Sequence, residues 1–361
     1  MKRVAVGVAL LAVLVLAVLG AGGLWGWKLL HSPYGPDGPA GPNSPQATVP
    51  FTIESGESAR HILERLTDLR LLPNAVLARL YLVYTLDDPP LQAGEYAIQT
   101  PATTGEVLDQ LIRGDVVLHQ ATIIEGLTLE ETAEHLAAQG FGEYETYLDL
   151  MRVSDAIADL DPEAETLEGY LFPDTYSFPR GATEAAIVAT LVSTFRRNLE
   201  AVLAEAETPP ALRELIILAS IVEKEALLDS ERPTIAGVYR NRLDRGIGLY
   251  ADPTIIFALK QLGTWDGDIR RSDLALDSPY NTYRYPGLPP GPICSPGLAS
   301  LRAAAAPAPV PFLYFVSRND GTHVFAETLR EHNRNVDEWQ RRYWRRKRAE
   351  GANPPPAVEP S

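Results

Sequence analysis

An uncharged run near the N-terminus is the sequence feature that most constrains this chain. It spans 24 residues, from Val4 to Trp27, and follows two basic residues. A helix of that length can cross a hydrocarbon core of ~30 Å, so the run predicts a transmembrane anchor over residues 1–30. The basic residues favour a cytoplasmic N-terminus, which places the remainder outside the cytoplasmic membrane. Small residues at 20–23 leave a cleaved signal peptide as the alternative, and that alternative also exports the chain.

A proline-rich segment, residues 31–47, follows the predicted anchor. Proline recurs at every third position from Pro33 to Pro45, and glycines lie between several of these prolines. Three Gly-Pro-X triplets are too few for a collagen triple helix. The segment is therefore predicted to be an extended polyproline II spacer, which rises ~3.1 Å per residue.

Hydrophobic periodicity predicts an α+β fold for the rest of the chain. Residues 48–118 alternate strand and helix patterns, including a capping box at Thr103 and Glu106 that is typical of a helix start. Residues 119–348 form a larger mixed unit with several helices and a hairpin across 319–321, where Asp-Gly favours a tight turn. Residues 349–361 are rich in proline and are predicted to be a disordered tail.

Charge and motif content exclude several classes of function. Acidic residues outnumber basic residues 47 to 32, a balance unlike the broad basic face of a nucleic-acid-binding protein. The sequence has one cysteine and six histidines, with no clustered metal-binding pattern, so no metal and no cofactor are expected. It also contains no phosphate-binding loop and no dinucleotide fingerprint.

A helix predicted after Pro210 carries the first candidate catalytic group. Helical spacing puts Leu212, Ile216, Ala219 and Glu223 on one face. An apolar environment would raise the pKa of the Glu223 carboxyl, as a general acid requires. The alternative is that Glu223 pairs with an arginine such as Arg240 or Arg242. Glu225 lies about 200° round the same helix and is expected to be solvated.

The segment 278–297 is the second candidate region. It combines stiff prolines, glycines and the tyrosines Tyr280, Tyr283 and Tyr285. Flat aromatic faces beside the polar side chain of Asn281 suit a sugar-binding groove. A rigid structural loop that packs its own tyrosines is the alternative, and composition favours neither.

Several blocks of sequence resemble one family. They are LEGYLFPDTYSF, ILASIVEKEA, SERPTIAGVYRNRL, LYADPTIIFAL, SPYNTYRYPGLPPGPI and HVFAETLREHN, which occur in that order within residues 48–340. Together they resemble the YceG-like endolytic murein transglycosylases. The resemblance implies a membrane anchor, a LysM-like subdomain over 48–118 and a catalytic domain over 119–348.

The resemblance also implies roles for individual residues. Glu223, the first glutamate of the VEKE block, is identified with the catalytic acid/base. The implied substrate-binding residues are Asn241, Asp252, Tyr280, Asn281 and Tyr283, and weaker candidates are Glu168, Tyr170 and Asp174. The chain has Tyr250 where the family usually has glutamine, so a substrate contact at that position is expected to differ.

The implied activity is a lytic transglycosylase that cuts MurNAc–GlcNAc bonds within nascent glycan strands and leaves 1,6-anhydroMurNAc ends. Such a reaction would end strand elongation. The implied partners are peptidoglycan strands, membrane lipid around the anchor and cell-wall synthases, and no nucleic acid. Two alternatives stay open: a non-catalytic peptidoglycan-binding scaffold, and a hydrolase in which Asp252 or Glu225 is the second carboxylate.

Overall fold

The computed structural model describes residues 2–41 and 44–349, and it describes side chains from residue 13 onward. The predicted disordered tail lies outside the described residues, except at position 349. The described chain divides into two compact units. The first comprises residues up to 119 together with 177–181, and the second comprises 120–176 and the residues from 182 onward.

The first unit begins with a helix, α1 (Lys2–His31). Within it, Val13–His31 is long and apolar enough to cross a membrane, and most of its residues are exposed. The predicted apolar run is therefore helical, and the helix continues a few residues past the expected end at Trp27.

The proline-rich segment differs from its prediction. Instead of staying extended, it forms a short antiparallel pair between β1 (Tyr34–Gly35) and β2 (Gly38–Pro39). The Tyr34 amide donates to the Ala102 carbonyl at 2.8 Å, and the Ala102 amide donates back at 3.0 Å. Gly38 takes a positive φ of 102°, which lets the chain reverse between the two strands.

A two-stranded sheet and three helices form the core of the first unit. Strands β3 (Ala47–Ile53) and β4 (Gly94–Thr100) pair antiparallel from Ala47↔Thr100 to Ile53↔Gly94. The helices are α2 (Ala59–Asp68), α3 (Ala75–Thr85) and α4 (Thr104–Arg113). The predicted capping box is confirmed, since Thr103 and Glu106 exchange side-chain and backbone hydrogen bonds. The buried core includes Phe51, Leu66, Leu82, Tyr96 and Leu108.

The second unit is mainly helical. In chain order after strand β5 (His119–Thr122), which starts at the unit boundary, its elements are α5 (Leu129–Ala138), α6 (Tyr144–Met151), β6 (Thr175–Phe178, whose last two residues belong to the first unit), α7 (Glu184–Glu205), α8 (Leu212–Glu225), α9 (Arg232–Asp244), α10 (Asp252–Gln261), α11 (Leu298–Ala305), β7 (Tyr314–Ser317), β8 (His323–Ala326), α12 (Leu329–Val336) and α13 (Tyr343–Ala349). Helix α8 is buried along most of its length and packs against α9, α10 and α11. This central helix carries the glutamates of the VEKE block.

The second unit contains several helices and a hairpin, as predicted, with two differences. Helices α6 and α11 were not predicted, since both are only eight residues long. A single C-terminal helix is expected from the sequence over about 327–347, and it is interrupted because a π-helical segment (Asp337–Arg342) separates α12 from α13. The hairpin prediction is confirmed, with β7 and β8 paired antiparallel and Asn319 and Gly321 at positive φ.

Candidate active site

Glu223 is buried, as predicted, but it forms an ion pair. Its side chain is 5% exposed, and its Oε1 lies 3.0 Å from Arg232 Nη1. Its Oε2 accepts the backbone N–H of Gly297 at 2.9 Å. The arginine is Arg232 rather than Arg240 or Arg242, the candidates from sequence. Both contacts are ones that a carboxylate anion makes, so they suit a structural charge better than a proton donor.

Arg232 connects this ion pair to neighbouring elements. Its guanidinium also contacts Asp229 at 2.9 Å and the Ser300 hydroxyl on α11 at 2.5 Å. Its side chain is only 6% exposed. Burial raises the pKa of the nearby Glu125 carboxyl, and the Glu223 charge raises it further. The group around Glu223 therefore joins α8, α9 and α11 and fixes their mutual positions.

Glu225 has a different environment, and the expectation that it is solvated is wrong. It is the last residue of α8, it is partly buried, and the Tyr239 hydroxyl donates to its Oε1 at 2.8 Å. Burial raises the pKa of Glu225 to about 7, with a further increase from the Asp252 charge, while the Tyr239 hydrogen bond and Arg242 oppose the shift. A carboxyl with that pKa is partly protonated near neutral pH.

Asp252, one of the predicted substrate-binding residues, is close enough for its charge to act on Glu225, and Tyr283, another of them, contacts Asp252. The Tyr283 hydroxyl donates to Asp252 Oδ1 at 2.7 Å. Burial raises the pKa of Asp252, and this hydrogen bond partly offsets the rise. Asp252 is the first residue of α10 and Tyr283 belongs to the proline-rich loop. The fold thus brings together the ends of α8 and α10 and one loop tyrosine.

Arg242 and Tyr250 complete the surroundings of Glu225. Arg242 is 7% exposed and donates to the carbonyls of Leu249 and Leu313 at 2.5 and 2.6 Å. Tyr250 has a positive φ of 48°, a rare conformation for an aromatic residue. Its ring lies 5.5 Å from the Tyr283 ring and is 39% exposed. The tyrosine that replaces the usual glutamine therefore presents a partly exposed aromatic face at this site.

The other three predicted binding residues have different surroundings. Asn241 donates to the carbonyls of Val310 and Phe312, which fixes the approach to β7. Asn281 is fully buried and donates to two carbonyls of the preceding turn. Tyr280 lines a separate cleft of about 1470 Å³. Asn241 and Asn281 therefore have clear structural contacts, and their predicted substrate contacts stay predictions.

The β7–β8 hairpin packs an aromatic residue, Phe315, against Tyr239. The ring of Phe315 contacts that of Tyr239 edge-on, with 5.8 Å between centroids. On the same hairpin, His323 Nδ1 lies 2.7 Å from Glu231 Oε2. The carboxyl of Glu225 and the hydroxyl of Tyr239 offer acid–base chemistry at this site.

Comparison with known proteins identifies the family. The profile described as the YceG-like family matches residues 51–338. The chain belongs to the YceG-like family. A solved structure of a yceG-like protein from Listeria monocytogenes is 30% identical, covers 80% of this chain and 99% of that chain, and superposes with a TM-score of 0.53.

Two curated relatives of this YceG-like chain share one name, endolytic murein transglycosylase. The protein from Bacillus subtilis (strain 168) is 29% identical over 313 residues, which are 80% of this chain and 84% of that protein. The protein from Streptococcus pneumoniae (strain D39) is 30% identical over 359 residues, which are 90% of this chain and 63% of that protein. The resemblance proposed from the sequence blocks is confirmed at the level of the family.

Sequence reasoning misjudged the surroundings of Glu225 because it considered one helical face without the residues that pack against it. Counted from Glu223, Glu225 points away from the apolar stripe of α8. In the structure Tyr239 from α9 covers it, and the Asp252 charge from α10 acts on it. The available signal was the next block, VYRNRL, which places Tyr239 and Arg242 three residues apart on one helical face.

Proposed function

We propose that this protein is a lytic transglycosylase acting on peptidoglycan, with Glu225 as its acid/base. The observation that carries the proposal is the Glu225 carboxyl, whose pKa burial raises to about 7. The relatives named endolytic murein transglycosylase support the reaction class. Glu223 as the catalytic group stays a prediction from sequence, and its contacts with Arg232 and Gly297 favour a positioning role.

In the proposed reaction, the protonated Glu225 carboxyl donates its proton to the oxygen that links MurNAc to GlcNAc. The bond between this oxygen and the MurNAc anomeric carbon breaks as the 6-hydroxyl of the same MurNAc attacks that carbon. The ionised Glu225 takes the proton from this hydroxyl, which restores the acid and closes the 1,6-anhydro ring. No water is consumed, and because the nucleophile is already tethered no second carboxylate is needed to activate it.

The neighbours of Glu225 have distinct roles in this scheme. The Tyr239 hydrogen bond and the Arg242 charge stabilise the ionised carboxyl after proton donation, since both lower its pKa. The Asp252 charge raises that pKa and keeps the resting carboxyl protonated. The same negative charge would stabilise the cationic sugar that develops as the bond breaks. Tyr283 positions Asp252, and Tyr250 offers an exposed face for a sugar ring.

Localisation and domain roles belong to the same proposal. The apolar helix Val13–His31 supports a single-pass anchor, with the N-terminus inside and the catalytic unit outside the cytoplasmic membrane. The predicted LysM-like subdomain, residues 48–118, contains nearly all of the β3–α2–α3–β4 unit, and in this proposal it binds glycan. Cleavage within nascent strands next to the membrane would end their elongation, with cell-wall synthases as candidate partners.

Product mass tests the proposal. Purified full-length protein in detergent is incubated with isolated glycan strands, and the released ends are analysed by mass spectrometry. A lytic transglycosylase gives 1,6-anhydro ends, whereas a hydrolase that uses Asp252 as its second carboxylate gives ends heavier by one water. Release of hydrated ends alone, or of no fragments from strands that a known transglycosylase cuts, would overturn the assignment.

A further inference from the structure

The cleft that Tyr280 lines is distinct from the surroundings of Glu225. Its volume is about 1470 Å³, larger than the ~300–1,000 Å³ of a typical small-molecule pocket. Helix α8 contributes Ile217 to the cleft and Glu225 to the site, eight residues further along. At 1.5 Å per residue that separation is about 12 Å along the helix axis. A substrate that extends from the cut bond would therefore reach the cleft.

One buried polar atom of the cleft lining has no hydrogen-bond partner among the described residues. Glu168 is 5% exposed, and its Oε2 accepts the Leu129 N–H at 3.0 Å. Its Oε1 is buried and accepts no hydrogen bond from any described donor. Tyr280 is half-buried in the same lining, with its ring 4.8 Å from that of Phe257 between centroids. Buried polar groups normally have partners, so the Glu168 Oε1 atom points to a ligand.

The lining of the cleft carries a surplus of acidic groups. Its arginines are Arg152, Arg213 and Arg240, and its acids are Glu130, Glu163, Glu165, Glu214 and Asp244, while Glu168 adds a largely neutral carboxyl because burial raises its pKa to about 8. Each arginine already lies against a carboxylate: Arg152 against Glu130, Arg213 against Asp161 and Arg240 against Asp244. Glu165 has no ion pair with any residue that the structure describes. The cleft thus favours a cationic ligand.

The remaining lining is apolar and stiff. Tyr280 and Phe257 form one side, and the prolines Pro289, Pro290 and Pro292 form another. The N-acetylated sugars of the glycan carry no cation, so a bare strand gains little from the acidic surplus. A short peptide with small methyl side chains and a side-chain primary amine fits this cleft. Its methyl groups match the apolar walls, and its amine matches the negative charge of the lining.

We propose that this cleft binds the stem peptide attached to MurNAc, and that Glu165 and Glu168 recognise the side-chain amine of its diamino acid. The inference rests on the proposed function for the identity of the substrate. The amine would donate to the carboxyl of Glu168 and to Tyr280 Oη and would lie in the negative potential of Glu165. The cleft would then select peptide-bearing strands over strands whose peptides have been removed.

Direct titration tests the cleft without relying on catalysis. The full-length protein in detergent is titrated calorimetrically with L-alanyl-γ-D-glutamyl-L-lysyl-D-alanine, and separately with the same peptide acetylated on the lysine amine. We expect the free amine to improve affinity about tenfold, the size of a charge-assisted hydrogen bond. Replacing both glutamates, Glu165→Gln with Glu168→Gln, should remove that difference. The matched control is Glu200→Gln, an exposed residue of α7 that should change neither affinity.

Equal affinity for the two peptides, or no binding of either, would overturn the proposal. Cleavage gives the second readout, with peptide-bearing strands compared against strands stripped by an amidase. The double variant should slow only the cleavage of peptide-bearing strands, and an equal loss on both substrates would make the cleft a sugar subsite or a structural feature. If the wild-type protein cuts neither substrate, the proposed function fails, while the titration still decides what the cleft binds.

Discussion

Tyr239 donates a hydrogen bond of 2.8 Å to Glu225 Oε1, and this contact joins the C-terminal end of α8 to α9. Tyr239 is 1% exposed, and burial together with the Glu225 charge raises the pKa of its hydroxyl well above the ordinary value. The hydroxyl therefore stays a donor across the working pH range. Glu225 can therefore gain or lose a proton while the Tyr239 hydroxyl holds the Glu225 carboxyl in one place.

The two glutamates of the VEKE block should respond differently to removal of the charge. Glu225→Gln cannot donate a proton and should lower cleavage by about 10²–10⁴-fold, the contribution of a general acid, with little change in folding. Glu223→Gln keeps a side chain able to accept the Gly297 N–H and should keep measurable turnover. Anhydro-end release and circular dichroism measure the two effects. Turnover that survives in Glu225→Gln but not in Glu223→Gln would return the catalytic role to Glu223.

The pH profile of kcat/KM should report the acid. Because Glu225 must be protonated to donate, kcat/KM should fall as pH rises above about 7. Tyr239→Phe removes a hydrogen bond that lowers the pKa, so the fall should move to higher pH. Asp252→Asn removes a charge that raises the pKa, so the fall should move to lower pH. Shifts in the same direction for both variants would contradict the assignment of Glu225.

The ion pair around Glu223 should matter for stability. Arg232→Met leaves a carboxylate that is 5% exposed without its cation, and the expected loss in free energy of unfolding is about 3–5 kcal/mol. The double variant Arg232→Met with Glu223→Leu removes both charges and should be more stable than Arg232→Met alone. Urea denaturation of the solubilised chain measures both. A double variant less stable than Arg232→Met would show that the unpaired Glu223 charge does not cause the loss of stability.

Glu168 should make stability depend on pH. Burial raises the pKa of its carboxyl from 4.5 to about 8, with smaller contributions from Glu130 and Glu131. The neutral carboxyl favours the folded state, so its contribution is complete below pH ~4.5 and is lost as pH rises towards ~8. Glu168→Gln cannot ionise, so its stability relative to wild type should rise over that window by a few kcal/mol at most. Thermal unfolding of the variant and of the wild type at pH 5 and pH 8 measures this change. A difference in stability between the two proteins that is the same at both pH values would argue against a raised pKa of Glu168.

The sequence by itself determined the local elements. The spacing of apolar residues and capping contacts such as that between Thr103 and Glu106 act within one or two helical turns. Most helices could therefore be predicted from short stretches of chain. The ordered sequence blocks also determined the family, and the apolar run before Trp27 determined the N-terminal helix. Short helices such as α6 and α11 were not predicted, because eight residues show little hydrophobic periodicity.

The tertiary structure decided which glutamate has a raised pKa and which forms an ion pair. Glu223 and Glu225 belong to the same helix and block, and their surroundings come from residues far along the chain: Arg232 and Gly297 for one, Tyr239 and Asp252 for the other. A helical wheel orders positions on one helix but carries no information about which neighbour covers them. The pKa of a carboxyl depends on those neighbours through burial, charge and hydrogen bonds, so it could be read only after α8, α9, α10 and the loops were packed.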